Sequence, residues 1–367
     1  MLKSLKIENF RGFETLELKQ FGRINLLVGE NNCGKTSILE AIQLLCSRGN
    51  LEPLSQLMVG RGEVLINDER KSSAYRRDVL DVCHLFYGHN LTLDSKFTIS
   101  SGNDRIECSI DIYESQEIEQ VSLLSNDDDF QDSSQNLAMS LNWFSSQDIE
   151  KIRLLLSRQG GVLSDYLRRS RRELKNPAIK TQFVTSSSLT SDEMSELFDQ
   201  IVLKPEEEII TTALQTIDPE IERIASVSVP RSRYSRSGFK IRRSGDSQPV
   251  PIGSMGDGIW RMLGLSLAAA CTKDGVLLVD EIDTGLHYSA MSKMWKMIWE
   301  TAKQSNVQVF ATTHSRDCWE SLAEIAAMDD AETEGITIHR IEKGHGRTAY
   351  FDAPMILVAA EREIEVR

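Results

Sequence analysis

Proline is scarce in this chain, with 8 in 367 residues, and no long hydrophobic run interrupts it. A membrane-spanning helix needs about 18 or more consecutive apolar residues. The longest apolar stretch, MLGLSLAAAC at 262–271, is too short and runs into TKDG, so no membrane partner is expected. The opening MLKSLKIENF alternates polar and apolar and carries charge, unlike a secretory leader. Six cysteines lie scattered without a CxxC pair, and six histidines show no metal-ligand spacing. Reduced thiols of a cytoplasmic protein are expected, rather than a disulfide or zinc framework. Positive charge is also in deficit. The net charge is −13, which argues against a surface coated with non-specific phosphate contacts and leaves room for a local basic groove. No repeat of about 20–50 residues is evident.

What is present is a soluble-type composition, 40% hydrophobic and 26% charged, long enough for two domains or one domain with an insertion. INLLVGE (24–30) reads as a buried strand, and Lys35 to about Cys46 as a helix with Ile38, Ile42 and Leu45 on one face. KFTISSG and IECSIDIYE read as a hairpin around SGND. SNDDDFQDSSQN is an acidic loop, and most of 141–225 reads as helical, from SSQDIEKIRLLLSRQ to PEEEIITTALQTI. From 253 onward glycine loops, helices and apolar strands alternate, closing with the hairpin GITIHRIEKGHGRTAYF and Gly344 in its turn. The expected fold is α/β, a mixed or parallel sheet flanked by helices, with a small antiparallel lobe and a mainly helical insertion. The expected division is 1–115, the first part of the α/β unit, 116–249, the insertion, and 250–367, the rest of that unit.

Residues 29–37, GENNCGKTS, fit GxxxxGK(S/T) between a strand and a helix. Gly29 and Gly34 let backbone N–H groups turn inward onto phosphate oxygens, at the positive end of a helix dipole. Lys35 would reach the β- and γ-phosphates, and the Thr36 hydroxyl would ligate Mg²⁺. VLLVDEID supplies the carboxylates at a strand end: Asp280 for Mg²⁺ and Glu281 to polarise the attacking water. A solvated strand end is the bland alternative. These acids follow the loop by some 245 residues, and GSMGDG opens a helix just before them. Two glycine loops meet one phosphate most easily across a head-to-tail pair of identical chains, each completing the other's site.

The order GENNCGKTS, SMGDG, VLLVDEIDTGLH, ATTHS, opened by IENFRGF, resembles the ABC-type ATPase heads of the SMC and RecF kind. More closely, it resembles the ATPase portion of OLD-type (overcoming lysogenization defect) proteins. The resemblance covers about 1–50 and 250–345. It implies ATP and Mg²⁺ as ligands and Asn32, Cys33, Gly34, Lys35, Thr36 and Ser37 as phosphate binders. Arg11 would lie near the α-phosphate or base, with a surface charge as its alternative. Ser254, Gly256 and Gly258 would contact a partner's γ-phosphate, with Asp283 and Gly285 in a turn crossing the homodimer interface. Asp280 would be the Mg²⁺ acid and Glu281 the base. His314 would sense the γ-phosphate, with a core histidine as its alternative. His287 would be structural, and His339 and His345 solvated. SMGDG departs from a transporter-like signature, Gln43 is a poor glutamine-loop candidate, and the 53 residues after His314 fall short of the nuclease domain of OLD proteins. AMDDAETEG reads as a solvated loop.

Two basic stretches stand out: 230–243, with Tyr234 and Phe239 interleaved for base stacking, and 167–175. Each is either a DNA contact or a solvated face. The expected function is an ATP-dependent switch that engages DNA or a separately encoded nuclease or toxin, in anti-phage defence or DNA maintenance. A self-sufficient ATP-dependent nuclease, a transporter ATPase and a non-hydrolysing scaffold remain the alternatives.

Overall fold

A computed structural model describes residues 1–65, 78–112, 137–145, 148–157, 159–169, 179–227, 238–328, 335–343 and 348–366. Strands β1 (Ser4–Phe10) and β2 (Phe13–Lys19) form a hairpin that alternates buried and exposed side chains, as IENFRGF suggests. β3 (Ile24–Val28) is buried at all five positions and leads to α1 (Lys35–Ser47). Every α1 residue but Thr36 is buried, so this helix lies inside the protein rather than showing one face to water.

α1 is enclosed because two sheets flank it. On one side runs an antiparallel sheet in the order β2-β1-β6-β7-β8-β9, with β6 (Lys96–Ser101), β7 (Asp104–Ile112), β8 (Leu137–Phe144) and β9 (Ile149–Leu155). The expected β6–β7 hairpin is there. The expected helix at 145–159 is not. Ile152 and Leu154 point inward while Lys151 and Arg153 are more exposed, a period of two that the run Leu154–Leu156 disguises. β4 (Val64–Leu65), β5 (Val79–Asp81) and β10 (Gly161–Leu163) make a short sheet beside α2 (Glu52–Gly60) and α3 (Ser164–Arg169).

On the other side of α1 is the central sheet, in the order β11-β15-β16-β3-β17-β18. It comprises β11 (Thr181–Val184), β15 (Val276–Val279), β16 (Gln308–Thr313), β3, β17 (Ile336–Arg340) and β18 (Ala349–Phe351). All pairings are parallel except β17–β18, the expected terminal hairpin. The strands are apolar on both faces. Ile24, Leu26, Leu277, Val309 and Ala311 belong to one core, and Leu27, Leu278 and Phe310 to the other. The first core is closed by α4 (Ser191–Ile201), α5 (Glu206–Gln215), α6 (Asp257–Cys271), α7 (Tyr288–Gln304), α8 (Arg316–Ala326) and α9 (Ala353–Glu361). α4 starts on a capping box, Thr190 with Glu193, as TSDE suggests. β12 (Ile221–Ser226), β13 (Phe239–Arg243) and β14 (Val250–Pro251) form a last small sheet. The span 116–249 thus supplies strands to all four sheets and is helical only in part.

His339 corrects another expectation. It is fully buried on β17, its ring 5.2 Å from Phe21 and 5.5 Å from Tyr350, with Nε2 3.1 Å from the Thr337 hydroxyl. Inward pleating at that register position, not solvent, decides its surroundings. His345 lies outside the described residues. Burial lowers the His339 pKa to about 4. The unfolded chain therefore takes up a proton near pH 6.5 that the fold refuses until about pH 4. Stability should be retained above pH 6.5 and fall across that window, by on the order of 3 kcal/mol at most. Urea unfolding at pH 7.5 and pH 5 should show the loss, and His339→Leu should flatten it.

Candidate nucleotide site

β3, β15 and β16 all end at the same edge of the parallel sheet, where open α/β sheets bind ligands. The loop after β3 needs its glycines. Gly29 has φ +146°, and a Cβ there would stand 2.4 Å from the Ile341 carbonyl oxygen. Gly34 has φ +98°, and a Cβ would stand 2.4 Å from the Phe13 ring. Gly34 is also the N-cap of α1 with no side-chain cap, so the first helical N–H groups remain free to receive an anion. The Lys35 ammonium donates to the Gly29 and Glu30 carbonyls at 2.9 and 2.8 Å, with Cys33 Sγ at 3.9 Å.

Thr36 and Asp280 lie side by side. The Thr36 hydroxyl lies 3.1 Å from both Asp280 carboxylate oxygens, and the Thr312 hydroxyl donates to Oδ1 at 2.7 Å. Thr312 also accepts the Glu281 N–H at 2.8 Å. Glu281 has φ +44°, a strained value for a side-chain-bearing residue. Its carboxylate is 3.7 Å from His314 Nδ1 and accepts from the Thr284 hydroxyl at 3.3 Å. His314 is about half exposed, at 49%, so it stands at the strand end rather than in the core. Asp283 accepts from the Thr313 hydroxyl at 2.6 Å.

Sequence reading missed the group that fixes this turn. Arg261 on α6 is buried and donates to three carbonyls: Thr185 at 2.6 Å, Asp280 at 2.9 Å and Glu281 at 2.8 Å. Burial lowers its pKa to about 10, opposed by Asp283, Asp280 and Glu281, so it stays charged at neutral pH. The one available clue was a lone basic residue within the apolar helix IWRMLGLSL.

Arg11 does not project freely. It is buried, its Nε 2.5 Å from Glu40 and its Nη1 2.6 Å from Glu63. Glu40 also takes Arg61 Nε at 2.6 Å, and Arg61 Nη2 reaches the Ser37 hydroxyl at 3.4 Å. Burial pushes the Glu40 carboxyl above its usual range, against the pull of Arg11 and Arg61. Arg61 is the more exposed of the two guanidiniums. Both border a cavity of about 740 Å³ that Asn32, Cys33, Gly34 and Ser37 line together with Tyr87 and His84. No residue of 254–258 lines it.

Ser254, Gly256 and Gly258 gather elsewhere, at the N-terminus of α6 against the Asp283–Leu286 turn. A Cβ on Gly258 would stand 3.5 Å from the Gly285 carbonyl. His287 caps α7, accepting from the Ser289 N–H at 3.4 Å. Phe239 is not available for base stacking. It is buried, its ring 5.6 Å from Phe198. Arg243 is engaged by Asp218, Glu220 and Asp246, and Arg242 by Glu222. Tyr234, Arg231, Arg233 and Arg236 lie outside the described residues, as do Gly344, most of AMDDAETEG and residues 170–175 of the second basic cluster. Gln43 is buried mid-helix in α1.

The profile of one protein family, described as "AAA domain, putative AbiEii toxin, Type IV TA system", matches residues 24–317. The chain belongs to this family. It is a P-loop ATPase of the ABC type, of the SMC and RecF kind. It is 24% identical over 358 residues to an "ATP/GTP phosphatase" of Helicobacter pylori, covering 90% of each chain. A 44-residue segment is 52% identical to the DNA replication and repair protein RecF of Clostridioides difficile, 12% of each chain. It is also similar to the SMC head solved with the C-winged helix domain of ScpA, at 13% identity and a TM-score of 0.48, over 96% of this chain and 98% of that one.

Arg261→Lys keeps the charge and loses the fork. It should leave carbonyls without a donor, lower stability by roughly 2 kcal/mol and slow ATP turnover. Chemical unfolding and a phosphate-release assay on the same preparation check both effects.

Proposed function

We propose that this ATPase is a switch that closes head-to-tail with a second copy of itself around ATP and reopens on hydrolysis. The observation that carries the chemistry is the arrangement after β15. Glu281 is held at φ +44° by Thr312 and Arg261, with His314 3.7 Å from its carboxylate and Asp280 beside it. A base needs such fixed placement, because proton transfer falls off steeply with misalignment.

The residues present fit Mg²⁺. A threonine hydroxyl and carboxylate oxygens converge within 3.1 Å, the hard oxygen donors such an ion takes. Thr36 and Asp280 would hold it, and when bound it neutralises charge on the β- and γ-phosphate oxygens. The remaining work falls to the chain. The Gly29–Gly34 loop and the α1 N-terminus receive phosphate oxygens, and Lys35 exchanges its carbonyl partners for them. Glu281 accepts the proton of the attacking water. His314, adjacent and about half exposed, donates towards the terminal phosphate.

The pairing of two copies is supported by a separation. The Ser254–Gly258 loop sits on the Asp283–Leu286 turn and none of it lines the cavity beside the P-loop. A glycine loop opening α6 is a phosphate receptor without a phosphate in its own chain, and a twofold partner supplies one. A separately encoded effector is the partner we propose for the closed dimer, as the toxin named in the family description suggests. DNA, held through 230–243 and 167–175, is the competing partner. A role in anti-phage defence or in DNA maintenance follows from which of the two is right.

Glu281→Gln should bind ATP without turning it over and should hold the dimer, so light scattering with ATP and Mg²⁺ should report twice the monomer mass. A monomer under those conditions removes the switch. Lys35→Ala and Gly258→Trp should each be inactive alone. Mixed in equal amounts, they should recover roughly a quarter of wild-type turnover, because half the pairs would hold one site built from intact parts. Absence of recovery, with both variants folded, rejects the shared site.

A further inference from the structure

Next to the cavity beside the P-loop, where His84 and His89 line it, lies chemistry that the ATPase reading does not use. β5 ends at Asp81, and Val82–Leu85 form one turn of 3-10 helix. Asp81 caps that turn, accepting the Cys83 N–H at 3.0 Å. The tight winding brings a carboxylate oxygen of Asp81, the sulfur of Cys83 and a ring nitrogen of His84 within 4.8 Å of one another. These are the three ligand types that borderline divalent ions such as Zn²⁺ favour.

The distances discriminate further. His84 Nε2 stands 3.6 Å from Asp81 Oδ2, too far for an N–H···O hydrogen bond. It is close to the separation of two ligands on one tetrahedral ion, about 3.4 Å for bonds of about 2.1 Å. The other ring nitrogen, Nδ1, lies 3.3 Å from His89 Nδ1, and one of the two must carry the proton. With that proton on His84, its Nε2 lone pair faces the carboxylate, an arrangement that a cation between them stabilises. A ligating histidine ordinarily has its second nitrogen held in this way. His89 is itself strained to do so, at φ +56° just after Gly88 at φ +80°. The turn is anchored before any ion arrives. The Arg11 N–H donates to the Leu85 carbonyl at 2.9 Å, Phe10 bridges to Phe86, and the Val82 N–H donates to Gly160.

We propose that Asp81, Cys83 and His84 bind one transition-metal ion of the Zn²⁺ class, with His89 as the outer partner that orients His84. Three protein ligands leave a fourth position for water. Because His84 and His89 also line the nucleotide-side cavity, the ion stiffens that wall. This site is independent of the ATPase mechanism and stands or falls separately from it.

Cobalt(II) is the probe, added to the chelator-treated full-length protein. Wild type should take up one equivalent and show tetrahedral d–d bands together with a near-ultraviolet thiolate-to-cobalt charge-transfer band. Cys83→Ser should lose the charge-transfer band. His84→Gln should keep it but bind at least about tenfold more weakly, and His89→Ala roughly tenfold more weakly. Zn²⁺ should displace the cobalt and raise the melting temperature of wild type, but not of Cys83→Ser. If Cys83→Ser does not fold, the His84→Gln and His89→Ala titrations decide the matter. No charge-transfer band in wild type, a band that survives in folded Cys83→Ser or is lost instead in Cys33→Ser, or unchanged affinity in both histidine variants would each overturn the proposal.

Discussion

The Asp280 carboxylate is the point on which the site depends. It receives hydroxyls from Thr36, at the start of α1, and Thr312, on β16, while its own residue directly follows β15. Three segments from opposite ends of the chain are thereby fixed to one side chain. Thr312 passes the constraint on, since its oxygen also takes the Glu281 N–H, and the neighbouring Thr313 hydroxyl holds Asp283. Parallel pairing of β15, β16 and β3 makes this possible, because it delivers three strand ends to the same edge. Chemistry is concentrated there because order is concentrated there.

Beneath it lie two buried guanidinium systems of different character. Arg261 binds only carbonyl oxygens, so its charge faces the backbone dipoles of the turn it holds. Arg11 faces two carboxylates and shares one of them with Arg61. Charges removed from water are expensive unless fully partnered, and an apolar substitute would often be no less stable. What the Arg11–Glu40–Glu63 group contributes is registration. It joins the β1–β2 turn, the middle of α1 and the segment after α2, with Arg61 adding the Ser37 hydroxyl of the phosphate loop.

The parts legible in the sequence were those where backbone stereochemistry leaves few options. GENNCGKTS needs glycine at two positive-φ positions, and VLLVDE is apolar until it leaves the sheet. Those two stretches and ATTHS were enough to anticipate the sheet edge. Less legible were residues whose roles depend on distant partners. Arg61 and Arg261 acquire meaning only when Glu40, Thr185 and Asp280 arrive beside them. The strand at 149–155 was hidden because its outer residues Glu150, Lys151 and Arg153 are long and charged and a leucine run blurs the alternation. His339 failed for the reason that register generally fails: one position along a strand exchanges core for solvent. Asp81, Cys83 and His84 escaped notice because metal ligands are usually sought at wider spacing, and only the 3-10 winding brings a run of four residues around one point.

The Phe13 ring occupies the space beside Gly34 where a methyl group would otherwise project. Phe13 opens β2, whose hairpin forms one margin of the antiparallel sheet. The outer sheet thus reaches the phosphate loop through a single ring. A side chain at position 34 would have to displace it, so the seat of the hairpin and the curvature of the loop are one steric decision rather than two.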